Sequence, residues 1–211
     1  MSLPVIIVGS GGHAAVVADA LLAAEVRVLG FVDTDPDRIG VRVCGLPVLG
    51  SESILDTHTP GAALLANGIG GIRAEGLRKP VQDRLESRGW EFATVRHPSA
   101  IVSKFATIAP GAQLLAGSIV QANARVGKGA IVNTAAVVEH DVELGEFVHI
   151  APRALLCGAV VVGDGSHIGA GAVVRQCIRL GARTMVGAGA VVVADFAGDC
   201  TLVGVPAREA A

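Results

Sequence analysis

Aliphatic residues recur at every sixth position through the second half of the chain. From Ile108 to Val192, fifteen consecutive positions spaced by six are Ile, Leu or Val, and the position four residues after each aliphatic is mostly small or β-branched. This period fits neither an amphipathic helix nor an alternating strand, but it fits a chain that turns a corner every six residues. Three corners would close one coil, and successive coils would pair as parallel strands about 4.8 Å apart. The pattern therefore predicts a left-handed parallel β-helix of hexapeptide repeats.

Glycine often occupies the position directly after the aliphatic residue, as at Gly127, Gly145 and Gly163. Glycine suits a backbone that turns, because it adopts conformations that other residues avoid. A valine-rich β-sandwich is the alternative fold, but it would not keep the same six-residue phase through so many repeats. We therefore assign residues 96–211 to the β-helix.

The first half of the chain alternates short apolar runs with helical patterns. The stretch PVIIVGSGGHAAVVADALLAA predicts a buried strand, a glycine turn and an alanine-rich helix, and VRVLGFVDTDP predicts a second strand that ends in acids. A third strand is expected in GAALLANG and a second helix in GIRAEGLRKPVQDRLESRG. Such alternation indicates a Rossmann-like half-domain with a parallel sheet over residues 1–95. The segment WEFATVRHPSA would join it to the β-helix.

Charge and composition argue against some classes of binding partner. The formal net charge is −2 and basic residues do not cluster, which argues against nucleic acid and anionic membranes as partners. Apolar runs are too short for membrane insertion or a secretory signal, so we expect a cytoplasmic protein. The cysteines show no CxxC spacing and lie among apolar neighbours, which predicts buried free thiols: Cys44, Cys157, Cys177 and Cys200.

The turn Gly9-Ser10-Gly11-Gly12-His13-Ala14 follows the first predicted strand and opens the first helix. Glycines let the backbone approach an anion, and the free N–H groups of a helix N-terminus favour negative charge. An acid at the end of the second strand, Asp33, is placed as a ribose-binding residue would be. A tight structural turn is the alternative. Half a dinucleotide fold without a hydride-transfer site favours one bound nucleotide over NAD.

Three histidines fall within the repeats at His140, His149 and His167. A β-helix can carry a three-histidine zinc site, as in the γ-class carbonic anhydrases, but intervals of 9 and 18 residues do not reproduce that arrangement. His149 and His167 would stack one coil apart on the same corner, whereas His140 lies elsewhere on the coil. In Glu139-His140-Asp141, a carboxylate adjoins an imidazole, which suits a general base. Each of these residues could instead be a solvated corner residue.

Several motifs together resemble one known family. The glycine turn with its histidine, HPSA at the junction, uninterrupted hexads, NTxxxVEHD with a second histidine nine residues on, and a terminal VGVPAR occur in this order. The combination resembles the nucleotide-sugar acetyltransferases of the sialic acid O-acetyltransferase (NeuD/PglD-like) type. Within them it is most similar to the enzymes that N-acetylate UDP-4-amino-sugars and GDP-perosamine. A sugar O-acetyltransferase and a non-catalytic nucleotide-sugar-binding trimer are the alternatives.

The resemblance implies roles for residues of the β-helix. His140 would be the general base and Asp141 the acid that increases its basicity. His149 would contact acetyl-CoA near the thioester, and Ala170 and Ala188 would line the CoA channel through their backbones. No metal is implied, and a covalent cysteine intermediate is not supported.

The resemblance also implies a binding site for the nucleotide-linked amino-sugar. Gly11, Gly12 and His13 would hold the diphosphate. The base and ribose would be surrounded by Asp33, Thr34 and Gly68, and Asn133 would lie beside the reacting centre. Members of the family form homotrimers with active sites between adjacent β-helices, which implies that His140 of one subunit serves a sugar held partly by another.

Overall fold

The computed structural model describes residues 3–71 and 77–210. Within them the chain forms two compact units, the first ending at Pro98 and the second beginning at Ser99. The predicted fold class is confirmed: a parallel α/β sheet is followed by a β-helix. No helix in these described residues has the length and apolar character needed to cross a bilayer.

The N-terminal unit is built around a five-stranded sheet in the order β3-β4-β2-β1-β5. All neighbouring pairs are parallel except β3 with β4. Short 3-10 turns cover Pro36–Arg38 and Glu52–Thr57. The strands and helices of this unit are β1 (Val5–Val8), α1 (Gly12–Ala23), β2 (Val28–Val32), β3 (Arg42–Val43), β4 (Leu46–Gly50), β5 (Leu64–Asn67), α2 (Arg78–Glu86) and β6 (Val95–Arg96).

Strands β1, β2 and β5 and both helices lie within the segments predicted from the hydrophobic pattern, whereas β3 and β4 had no clear signal. The run LPVLG of β4 is short, contains proline and ends in glycine, all of which lower strand propensity. It joins the sheet because Val48 pairs with Phe31 of the buried strand β2. Tertiary packing thus outweighs local preference here.

From Ile101 to Val192 the C-terminal unit repeats two-residue strands at six-residue intervals. The first is β7, one hexad before the predicted start at Ile108, because Val102 already occupies the aliphatic register. The strands are β7 (Ile101–Val102), β8 (Thr107–Ile108), β9 (Gln113–Leu114), β10 (Ile119–Val120), β11 (Arg125–Val126), β12 (Ile131–Val132), β13 (Val137–Val138), β14 (Glu143–Leu144), β15 (His149–Ile150), β16 (Leu155–Leu156), β17 (Val161–Val162), β18 (His167–Ile168), β19 (Val173–Val174), β20 (Arg179–Leu180), β21 (Met185–Val186), β22 (Val191–Val192), β23 (Thr201–Val203) and β24 (Arg208–Glu209).

Three sheets form the sides of the coil, and from β7 to β22 each strand pairs in parallel with the strand three elements away. Residues separated by 18 positions are therefore direct neighbours, as Val138 is of Leu156 and Val120. At the end of the coil β23 pairs with β21, and β24 pairs antiparallel with β23. Backbone hydrogen bonds join the coils, for example from Ile131 N–H to the Val148 carbonyl at 2.8 Å. The second residue of most strands points inward and is buried, and so is the small or β-branched residue four positions later. Two ladders of side chains fill the interior.

The glycines after the aliphatic residues serve a purpose other than the predicted one. Gly127, Gly163 and Gly169 do not have a positive φ. A Cβ at Gly127 would lie 2.4 Å from the Gly145 carbonyl oxygen, and one at Gly163 would lie 2.4 Å from the Ala182 nitrogen. These glycines are needed because adjacent coils approach closely at this position.

The left-handed conformation occurs at a different position of the hexad. One column of such turn residues, which we call the turn column, consists of Asn123, Asp141, Ala159 and Cys177, with φ of 63°, 60°, 58° and 61°. Each lies 18 residues after the last, so the four stack along the coil axis. Asparagine and aspartate tolerate this conformation better than most residues.

The prediction that all four cysteines are buried is wrong. They are free thiols, but Cys44 and Cys177 are exposed and Cys157 and Cys200 are only half-buried. Cys177 belongs to the turn column, and Cys44 has a φ of 49° in the β3–β4 turn. Both positions point away from the core although their sequence neighbours are apolar.

The buried aliphatic residues that stack inside the coil should contribute most of the stability of the β-helix. Val162 is buried and the adjacent Val161 is half-exposed. Val162→Ala should lower the free energy of unfolding by roughly 2 kcal/mol, because it leaves a cavity between coils. Val161→Ala is the matched control and should cost well under half as much. Urea denaturation followed by circular dichroism measures both, and equal losses would contradict the assignment of the inward face.

Candidate active site

The glycine turn connects β1 to α1 and leaves open space above the helix. Gly11 is the N-cap, its φ and ψ are −77° and −170°, and α1 has no side-chain cap. A Cβ at either Gly11 or Gly12 would meet no atom within 4 Å. Packing therefore does not explain these two glycines, whereas close approach of a ligand to the backbone would.

Asp33 lies at the end of β2 and holds the turn in place. Its Oδ2 accepts hydrogen bonds from the Ser10 N–H at 2.7 Å and from the Ser10 hydroxyl at 2.5 Å, and its Oδ1 accepts from the Asp35 N–H at 3.0 Å. The Arg38 guanidinium donates to the Ser10 hydroxyl and carbonyl oxygens. Burial alone would raise the pKa of Asp33, but these hydrogen bonds and the Arg38 charge outweigh it and lower the pKa.

A cavity of about 480 Å³ opens beside this turn. It brings together Gly11, Asp33, Thr34 and Gly68, which were predicted to bind the nucleotide-sugar. Gly12 and His13 are not among its lining residues. A Cβ at Gly68 would lie 2.7 Å from both Ala14 Cβ and Ile7 Cγ2, so packing alone requires glycine there.

Sequence reasoning missed two charged residues of the same cavity. Arg84 of α2 donates to both carboxylate oxygens of Glu52, at 2.5 Å and 2.7 Å. Both residues line the cavity. They are 32 positions apart and belong to no motif, so only the fold shows that they meet.

In the β-helix, His140 and Asp141 lie in the turn between β13 and β14. His140 Nδ1 and Asp141 Oδ2 are 2.8 Å apart, and Asp141 Oδ1 accepts from the Asn123 amide at 3.0 Å. Hydrogen bonds from His140 and then from Asn123 lower the pKa of Asp141. The side chains of His140 and Asp141 are 62% and 51% exposed, so a substrate can reach them. An ionised carboxylate only accepts, so His140 Nδ1 carries the proton and a neutral ring leaves Nε2 as a base.

Gly158 leaves the space that the His140 ring occupies. It lies 18 residues after His140, and a Cβ there would lie 2.5 Å from His140 Cε1 and 2.6 Å from Nε2. Any larger residue at position 158 would have to displace the imidazole. The sequence gives no sign of this role, because Gly158 is one of 28 glycines.

A second cluster contains His149, which starts β15. Its Nε2 lies 3.1 Å from the Asn133 amide nitrogen, which donates, while Asn133 Oδ1 accepts from the Thr134 N–H. His149 pairs with His167 of β18, and their rings meet edge to face with centroids 4.8 Å apart. The predicted stacking is confirmed, but the pair stands on a flat strand and not at a corner.

Ala170 and Ala188 line a cavity of about 270 Å³ together with His167 and Met185. The Ala170 carbonyl accepts from the Gly189 N–H. Within residues 3–71 and 77–210, the backbone N–H groups of Ala170 and Ala188 donate to no backbone carbonyl. The cavity thus offers two backbone donors beside an apolar wall. In the same part of the chain, no group of three or more His, Cys, Asp or Glu side chains is arranged to hold a metal.

Comparison with known proteins agrees with this architecture. Residues 4–91 match the PglD N-terminal domain. The structure of PerB from Caulobacter crescentus in complex with CoA and GDP-perosamine has 36% identity and a TM-score of 0.90, and the match covers 99% of this chain and 97% of that one. The chain belongs to the PglD-like (NeuD/PglD) family of acetyltransferases.

Other members of this family are similar over the same length. The acetyltransferase domain of PglB from Neisseria gonorrhoeae has 34% identity and a TM-score of 0.90, with 99% of this chain and 100% of that chain covered. The predictions of a NeuD/PglD-like family member and of an acyltransferase are confirmed. WeeI from Acinetobacter baumannii, at 24% identity and a TM-score of 0.87, shares the fold. A search of curated protein sequences gave no match.

The Asp33 network predicts a pH-dependent contribution to stability. Because the pKa of Asp33 is lowered on folding, its contribution is present above the unfolded value and is lost as the pH falls through the folded one. Asp33→Asn should therefore cost about 1 to 2 kcal/mol near pH 7, the range expected for a partly exposed charged hydrogen bond.

Urea denaturation at about pH 7 and about pH 3 measures this difference. The cost of Asp33→Asn should shrink at the acidic pH, which lies below the ordinary pKa of aspartate, because the unfolded wild-type chain is then largely protonated at this residue. Asp37→Asn, an exposed acid in the same loop, is the control and should change stability little at either pH. A cost for Asp33→Asn that is the same at both pH values would contradict the assignment.

Proposed function

We propose that the protein transfers an acetyl group directly from acetyl-CoA to the amino group of a nucleotide-linked 4-amino-sugar. The sugar nucleotide would be GDP-perosamine or a UDP-4-amino-4,6-dideoxy sugar. The exposed His140–Asp141 hydrogen bond carries this proposal, because it supplies a general base at a site that solvent reaches. The PerB structure, which holds CoA and GDP-perosamine, supports it. We infer that the reaction takes place in the cytoplasm, where acetyl-CoA is available.

The nucleotide would bind at the glycine turn. Gly11, Gly12 and His13 present the start of α1 to the diphosphate, and the open space at Gly11 and Gly12 allows close approach of phosphate oxygens. Asp33, Thr34 and Gly68 would surround the base and ribose in the adjoining cavity. Since Ser10 and Asp35 already occupy both carboxylate oxygens of Asp33, this acid would contact the ribose through its remaining lone pairs.

Acetyl-CoA would bind along the outer face of the β-helix. The amides of Ala170 and Ala188 would donate to the carbonyl groups of its pantetheine arm. His149 would lie near the thioester, and Asn133, which donates to His149, would lie beside the reacting centre. His149 and His167 pair across adjacent coils, so the ring of His149 is supported from one side.

The reaction would proceed in two steps. His140 Nε2 takes a proton from the sugar amine as the amine nitrogen attacks the thioester carbonyl carbon, which gives a tetrahedral intermediate. A hydrogen-bond donor such as a backbone N–H stabilises the oxyanion. The intermediate then collapses, the carbon–sulfur bond breaks, and the imidazolium returns the proton to the CoA sulfur. The products are the acetamido sugar nucleotide and free CoA.

We further propose that the enzyme is a homotrimer with active sites between β-helices. The outward residues of one side of the coil form an aliphatic stripe of half-exposed side chains, which a monomer would leave facing water. It consists of Ile119, Val137, Leu155, Val173 and Val191. A second side carries mostly polar residues at the equivalent positions: Thr107, Arg125, Glu143, Val161 and Arg179. A subunit interface on the aliphatic side would explain the contrast.

His140→Ala tests the catalytic assignment. Removing the base should lower kcat by about 100- to 10,000-fold, while binding of the sugar nucleotide changes little. Release of CoA from labelled acetyl-CoA measures kcat, with 4-amino and hydroxyl sugar nucleotides as acceptors, and calorimetry measures binding.

Near-normal turnover by His140→Ala would reject this residue as the base. Acetylation of only the hydroxyl acceptor would instead indicate a sugar O-acetyltransferase. Binding of sugar nucleotides without CoA release from any acceptor would indicate a non-catalytic trimer.

Leu155→Glu tests the proposed interface. A buried carboxylate would be costly in the centre of the aliphatic stripe, so the variant should run as a monomer on size-exclusion chromatography with light scattering. Its circular dichroism spectrum should match that of the wild type. Val161→Glu places the same charge on the polar side and should remain a trimer. A wild-type monomer, or a trimeric Leu155→Glu, would reject the interface.

A further inference from the structure

The His140–Asp141 pair is exposed and therefore weakly restrained by itself. An isolated hydrogen bond between exposed charged side chains contributes little, because water competes and both side chains can rotate away. A base that must keep one orientation in such a place needs a second restraint on its carboxylate partner. Asp141 Oδ2 faces His140, so the restraint has to act on Oδ1.

Asn123 supplies this restraint. Its amide nitrogen donates to Asp141 Oδ1 at 3.0 Å, while Asp141 Oδ2 contacts His140 Nδ1 at 2.8 Å. Asn123 and Asp141 occupy consecutive places of the turn column, so the spacing between coils sets the distance between their side chains. Because both carboxylate oxygens of Asp141 accept hydrogen bonds, the plane of this carboxylate is fixed from two sides.

We propose that Asn123 is a positioning residue for the acetyl transfer proposed above, on which this inference rests: it orients Asp141 so that His140 keeps its proton on Nδ1 and its lone pair on Nε2. Asn123 touches neither substrate nor the reacting atoms. It acts through Asp141 alone, and the glycine at position 158 leaves the ring room to adopt this orientation.

A second explanation for asparagine at position 123 is that the left-handed turn conformation favours this residue, without any role in orienting Asp141. Two substitutions separate these explanations. Asn123→Gly keeps the turn conformation without strain and removes the amide. Asn123→Asp keeps both the turn and the side-chain size, but it places an acceptor against Asp141 Oδ1 where a donor was.

If Asn123 positions Asp141, Asn123→Gly should lower kcat roughly tenfold, the factor that corresponds to losing one hydrogen bond to a charged group. The KM values for acetyl-CoA and for the sugar nucleotide should stay within about twofold, because Asn123 binds neither substrate. Asn123→Asp should lower kcat at least as much. Cys177→Gly, a change at the same turn position two coils beyond Asp141, is the matched control and should leave kcat unchanged.

The tautomer of His140 gives a readout that does not depend on activity. Nitrogen-15 NMR of labelled histidine should show the Nδ1–H form of His140 in the wild type and in Cys177→Gly. Asn123→Gly should show a mixture of the two tautomers. His140→Ala identifies the signal.

Wild-type tautomer and kcat in both Asn123 variants would overturn the inference and leave asparagine as a turn former only. If the wild type transfers no acetyl group, the proposed function fails, and the NMR experiment still decides whether Asn123 orients the pair. A loss of kcat without a change of tautomer would also overturn the positioning role.

Discussion

Parallel hydrogen bonding between successive coils determines where every residue of the C-terminal unit lies. Every strand from β7 to β22 is two residues long, so none is stable by itself, and the sheets exist only because each coil pairs with the next. The pairing makes residues 18 positions apart into neighbours. A side chain in this unit therefore has its position set chiefly by the coils on either side.

Pairing between coils requires small residues at some positions and brings functional side chains together at others. Where coils approach most closely, a Cβ would collide with the backbone of the next coil, which explains glycine at positions such as Gly127 and Gly163. Where the chain turns outward, the left-handed conformation favours residues with short polar side chains, and one such column holds Asn123 and Asp141. In the N-terminal unit, the comparable link is Asp33, which ties the glycine turn after β1 to the end of β2.

Much of the fold could be predicted because the hexad pattern reports directly on the interior of a coil. Aliphatic and small positions are buried where the period places them, and His149 and His167 pair as their spacing indicates. Two of the failures concern contacts between residues that are far apart in sequence and related by no period, and the third concerns the direction in which a turn residue points. Strand β4 pairs with β2 despite a weak local preference, Arg84 meets Glu52 from 32 positions away, and Cys177 is exposed among apolar neighbours.

The space that the His140 ring occupies limits where such a protein could acquire a second catalytic base. The imidazole extends over Gly158, in the room that a side chain of the following coil would otherwise fill. At this turn position, one imidazole ring thus fills the side-chain space of two successive coils. A longer chain with more repeats would be taller, but it could not place a second base directly above the first. Side-chain volume therefore excludes a second base from the adjacent coil at this turn, so adding one coil would not by itself add a reaction centre.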